Sequence, residues 1–64
     1  MPKRYTSIEL IRIIEADGWV EIRAKGSHHH FRHATKPGLV TIVHPVKLIK
    51  PGTANNILKQ AGLK

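Results

Sequence analysis

Apolar residues change their spacing several times along this chain, and each change marks an element. In TSIELIRIIEADG (6–18), Ile8, Leu10, Ile11 and Ile14 recur at roughly helical spacing. Thr6 can cap the helix, Glu9 three residues on completes a capping box, and Gly18 stands where a C′ glycine ends it. The period then drops to two. In WVEIR (19–23), Val20 and Ile22 alternate with Trp19, Glu21 and Arg23, which predicts a half-buried strand with Val20 and Ile22 turned to the core. AKGS is a turn. HHHFRH (28–33) alternates as a second strand, with Phe31 its only strong core residue. ATKPG, with its Pro37-Gly38 breaker, is a second turn, and the β-branched LVTIVH (39–44) is a third strand. After PVKLIKPG, Thr53 is placed to cap a closing helix, ANNILKQA, ended by Gly62.

The order α-β-β-β-α predicts an α+β fold in one small domain spanning 1–64. Its three-stranded antiparallel sheet carries both helices on one face. The chain shows no repeats, low-complexity tracts or linker. Helices confined to one face leave the other open, and period two sorts side chains between the faces. On the second strand His29, Phe31 and His33 share the inner face, while His28, His30 and Arg32 share the outer one. In a simple register Trp19, Glu21 and Arg23 join them outside. Trp19 follows the helix-ending Gly18, and packing against that helix end is favoured over stacking on a base.

Composition narrows the function. A chain of 64 residues, 41% hydrophobic and 23% charged, supports one modest core. It has no cysteine, hence no disulfide or thiolate chemistry. No apolar run approaches the roughly 20 residues of a membrane span. MPKRYTS carries no apolar signal region, and a cytoplasmic location is expected. Eleven Lys/Arg against four Asp/Glu give +7 and a pI near 10.4. That imbalance favours a polyanionic partner, nucleic acid first and an acidic protein second. Arg23, Lys25 and Arg32 flank the histidine run as candidate phosphate contacts. Lys47, Lys50 and Lys59 are a candidate second basic patch near the closing helix.

The stretch KGSHHHFRH (25–33) carries the candidate chemistry. Its place between two amphipathic segments rules out an affinity-tag scar. A zinc site would need three or four ligands. His28 and His30 could share an ion, but His44, Glu9, Glu15, Asp17 and Glu21 offer no clear third ligand, and the net charge opposes a cation. No metal or cofactor is therefore expected. His29 and His33 read as packed, hydrogen-bonded strand residues, and His30 as either a solvated residue or a substrate contact. His28 directly follows Gly26-Ser27 on the open, basic face. The sequence offers no Ser/His/Asp triad, carboxylate pair or phosphate loop. RNA, however, brings its own nucleophile in the 2′-hydroxyl. One imidazole as general acid or base, with cations nearby, is enough to cleave it, worth about 10²- to 10⁴-fold. No residue in the sequence stands out as the group that protonates the leaving oxygen.

ELIRIIEADGW, KGSHHHF and the run from His44 to Leu63 (HP, then GT, then ILKQAGL) resemble, in order and spacing, the HicA toxins of bacterial and archaeal toxin–antitoxin systems. The resemblance covers nearly the whole chain. It implies a double-stranded-RNA-binding-like fold, metal-independent cleavage of mRNA and inhibition by a HicB-type antitoxin. The family's catalytic histidine follows Gly-Ser or Gly-Gly and falls here on His28, with the motif's glycine on Gly26 and its serine on Ser27. Relatives commonly read VPHPKKDL where this chain has IVHPVKLI, so Val43, Val46 and Leu48 depart from the pattern. Those departures bear on loop contacts around 43–50 rather than on His28. The alternative is a non-catalytic RNA-binding module of the same fold. A plain double-stranded-RNA-binding domain starts its last helix with a lysine cluster. Here that start is the uncharged TANN, which weighs against a simple binder.

Overall fold

A computed structural model describes residues 4–64. The elements are α1 (Ser7–Ala16), β1 (Trp19–Lys25), β2 (His28–His33), β3 (Leu39–Val43) and α2 (Pro51–Gln60), the expected α-β-β-β-α order. The strands form one antiparallel sheet in the order β1-β2-β3.

Local chemistry explains where the helices begin and end. In α1 the Thr6 hydroxyl accepts from the Glu9 amide at 3.1 Å and the Glu9 carboxylate accepts from the Thr6 amide at 2.9 Å, closing the capping box. Gly18 follows the helix with φ +106, a conformation that costs glycine alone nothing. The start of α2 differs from expectation. Pro51 opens the helix, Lys50 is the N-cap without a side-chain bond, and Thr53 lies inside the first turn. Proline is preorganised for the first helical position, where no amide donor is needed, so it sets the boundary ahead of a hydroxyl cap.

Both helices lie on one face of the sheet, α1 against β1 and β3, α2 against β3. Between them sits one core. From α1 it takes Leu10, Ile11 and Ile14; from the sheet, Trp19, Phe31, Val40 and Ile42; from α2, Ala54, Ile57 and Leu58, with Ile49 and Ala61 closing the rim. Ile8, assigned to the apolar face of α1, is exposed, and the buried hydroxyl of Ser7 takes the place beside Leu10 and Ile11.

The sense of β1 is opposite to that expected. Trp19 is 1% exposed, whereas Val20 and Ile22 are 62% and 54% exposed. Two facts decide it. Trp19 stands opposite His33, two residues from Phe31, so cross-strand parity turns it to the same face as Phe31. An indole also buries more apolar surface than any aliphatic side chain, and its N–H finds a partner in the Ala61 carbonyl at 3.2 Å. Glu21, opposite Phe31, is likewise on the helix side and not on the open face. Beyond Glu21 the register slips. Ile22 has no partner, and Arg23, not Ile22, stands opposite His30. This bulge reverses the parity of the strand, so Arg23 and Lys25 emerge on the open face with Val20.

Candidate functional site

The open face of the sheet consists of cross-strand rows. Lys25, His28 and Val43 form the first, Arg23, His30 and Thr41 the second, and Val20, Arg32 and Leu39 the third. His28, Gly26 and Ser27, and Arg23, Lys25, His30 and Arg32, all singled out from the sequence, thus converge on this face and the turn that edges it. Three cations and two imidazoles share it, and none of the four carboxylates does. Glu21 is on the helix side bonded to His29, Asp17 pairs with Lys36, and Glu9 and Glu15 belong to α1. Exposed Val20, Ile22, Leu39 and Val43 supply apolar surface between the charges.

His28 is placed by a two-residue hairpin. Lys25 and His28 are paired, leaving Gly26 and Ser27 as the loop. Gly26 has φ +58 and Ser27 does not have positive φ, the pattern of a type II′ turn with glycine at its first central position. A Cβ on Gly26 would meet nothing within 4 Å, so the glycine serves the backbone conformation and not a tight approach. The Ser27 carbonyl accepts from the His44 amide at 2.8 Å, which ties the turn to the end of β3. The backbone around His28 is therefore held on both sides, while its exposed side chain has no hydrogen bond or ion pair among the described residues.

The other histidines are engaged. His30 is half-buried, with Nδ1 2.9 Å from the Thr41 hydroxyl. His29 faces the helix side and donates from Nδ1 to Glu21 Oε1 at 2.8 Å. His33 is the most constrained. Its Nε2 donates to the Asp17 carbonyl at 2.7 Å, and Nδ1 accepts from the Thr35 and Lys36 amides at 3.0 and 3.2 Å. Amide donors around Nδ1 fix the neutral Nε2–H tautomer. Beside it Lys36 pairs with Asp17 at 2.5 Å and donates to the Ala61 carbonyl at 3.0 Å. The Lys36 hydrogen bond, more than the Lys36 charge, holds the Asp17 carboxyl below its ordinary pKa.

His44, a candidate metal ligand by residue type, sits on the helix side and away from His28 and His30. Its ring packs edge-on against His29 on the helix face, and its Nδ1 lies 2.6 Å from the buried Ser7 hydroxyl. Ser7 Oγ also accepts from the Val46 amide at 2.8 Å, so its proton is free for His44 Nδ1. This clamp joins the 44–46 loop, with its cis His44-Pro45 bond, to the start of α1. Among the described residues no three His, Asp or Glu side chains are grouped to hold a metal ion.

Two further expectations resolve differently. Trp19 is packed, as favoured, with its ring 5.3 Å from that of His33 in edge contact. Lys47, Lys50 and Lys59 do not form one patch. Lys50 caps the N-terminus of α2 and Lys59 lies in its last turn, about 14 Å along the axis. Among the described residues no helix is long and apolar enough to cross a membrane.

The chain as a whole is similar to known proteins. The toxin–antitoxin complex from Streptococcus pneumoniae contains a chain similar to this one, with 34% identity and a TM-score of 0.76. The match covers 91% of this chain and 97% of that one. No curated protein matches significantly. A family model described as the HicA toxin of bacterial toxin–antitoxin systems matches residues 8–63, nearly the whole chain from α1 to the end of α2, and on that match the chain belongs to the HicA toxin family.

Proposed function

We propose that this toxin is an endoribonuclease that cleaves mRNA without a metal ion, with His28 as its general acid/base. The observation that carries the reading is the contrast around His28. It is the exposed, unengaged imidazole on a face where Arg23, Lys25 and Arg32 gather and carboxylates are absent. An RNA phosphate drawn to those cations meets an imidazole, the side chain that titrates nearest neutral pH. As base, His28 takes the 2′-hydroxyl proton while that oxygen attacks phosphorus. The guanidinium and ammonium groups stabilise the charge that develops on the phosphoryl oxygens. The Gly26-Ser27 turn, anchored through Ser27 to His44, keeps the imidazole at the face's edge.

The similar structure is titled a toxin–antitoxin complex. By analogy this chain is held inactive by a HicB-type antitoxin. An acidic antitoxin surface laid over the open face would displace RNA and cover His28 together.

The test is cleavage of mRNA by purified protein in EDTA, comparing wild type with His28→Ala. Wild type should leave 2′,3′-cyclic phosphate ends and fail on 2′-deoxy substrate. His28→Ala should fold with an unchanged melting temperature and lose activity by at least about 10²-fold. Wild-type rates in His28→Ala would overturn the assignment.

A further inference from the structure

Attack by a 2′-oxygen solves half of the chemistry; the departing 5′-oxygen also needs a proton. We propose that His30 supplies it, held for the task by the Thr41 hydroxyl. This inference rests on the endoribonuclease reading and adds the second proton-transfer group.

The geometry is that of one strand face. His28 and His30 are alternate residues of β2, so both project to the open side and their Cα atoms are about 7 Å apart. Two imidazoles at that spacing, each about 3 Å from an oxygen, can flank a phosphorus on opposite sides. An in-line displacement needs that arrangement, since the attacking and leaving oxygens are then diametrically opposed. Arg23 stands opposite His30 in β1, and Lys25 stands opposite His28, so each imidazole has a cation beside it in its own row.

His30 differs from His28 in having a fixed ring. Thr41, its cross-strand neighbour in β3, is 2.9 Å from Nδ1 through Oγ1. With Nδ1–H donating to that oxygen, the exchangeable proton is confined to Nε2, on the side of the ring away from Thr41. The Nδ1 bond is the same before and after transfer, so the ring does not turn during the reaction. In the full step the 2′-O–P bond forms and the P–O5′ bond breaks. The 2′-hydroxyl proton passes to His28 and the Nε2 proton of His30 passes to O5′. The products are a 2′,3′-cyclic phosphate and a 5′-hydroxyl, and the two imidazoles reset by exchange with water. Thr41 is a positioning residue, acting only through His30.

A leaving group that needs no proton isolates this role. An RNA oligonucleotide carrying a site cut by wild type is prepared in two forms, with ordinary linkage and with sulfur replacing the scissile 5′-bridging oxygen. His30→Ala should cut the oxygen-linked form about 10²- to 10⁴-fold more slowly than wild type. On the sulfur-linked form it should recover to within about tenfold. His28→Ala should remain slow on both, because the base is still missing. Thr41→Val should show a smaller loss, again confined to the oxygen-linked form, and Thr41→Ser should restore it. Equal slowing of His30→Ala on both linkages would make His30 a phosphate contact and overturn the proposal, as would wild-type rates on both. A wild-type protein that cuts no RNA, so that no such site exists, would instead sink the endoribonuclease reading, and this inference with it.

Discussion

The two ends of β2 carry the same side chain under opposite conditions. At His33 both ring nitrogens are saturated. Nε2 binds the Asp17 carbonyl, Nδ1 binds two amides, and the ring edge meets Trp19. At His28, five residues back, the backbone is held as firmly while the ring is exposed and unengaged. The difference arises from parity and from what each end faces. His33 points to the side where the end of α1 brings a carbonyl, and the loop after β2 folds two amides back onto it. His28 points to the side where nothing packs. One imidazole is spent on the fold and the other is left for chemistry.

Melting curves break or sharpen that contrast. His33→Ala removes the acceptor of two amides and the donor to a carbonyl, and should cost about 1–3 kcal/mol. In a domain of this size each kcal/mol lowers Tm by about 4–8 °C. His28→Ala should stay within about 0.5 kcal/mol of wild type. Equal destabilisation by the two would erase the distinction.

The glycines repeat the comparison at smaller amplitude. Gly18 and Gly26 both have positive φ, so alanine at either strains the backbone by about 1–2 kcal/mol. A Cβ at Gly18 would also lie 2.9 Å from His33 Nε2, an atom pinned by its own bond, whereas at Gly26 it meets open space. Gly18→Ala should therefore melt lower than Gly26→Ala. The reverse order would mean that the His33 cluster yields easily.

The smallest effect concerns Lys36. It lowers the pKa of Asp17, so the pair stabilises the fold above the ordinary aspartate pKa. That stabilisation fades as pH falls through the lowered folded value. Lys36→Met should lower Tm slightly at neutral pH and flatten its decline in that acid window. An unchanged acid profile would show that the pairing contributes nothing there.

Much of this arrangement was legible in the residues. The Thr6–Glu9 box, the bounds of β2 and the division of its histidines between two faces follow from local rules that the structure obeys. Gly26 could be read as a turn glycine because GS sits between two alternating runs. What sequence could not disclose is decided by contacts between distant residues. The Ser7–His44 bond joins positions 37 apart, and nothing near Ser7 marks its hydroxyl for burial. The Thr41–His30 pair depends on the β2–β3 register. Alternation misleads on the faces of β1, because it cannot rank Trp19 against Val20 and Ile22 and because one unpaired residue interrupts the count. Arg23 reaches the open face as expected, but for a different reason.

That unpaired residue, Ile22, works like a shift of reading frame. Upstream of it, even-numbered residues of β1 face solvent; downstream, odd-numbered ones do. The basic character of the open face thus depends on the bulge as much as on strand composition. Were Ile22 paired opposite His30 in an unbroken ladder, Arg23 and Lys25 would turn toward the helices without either being replaced. Homologous chains therefore cannot be compared across β1 by residue type alone. Losing the bulge at constant length changes which letters are read by a ligand and which by the core.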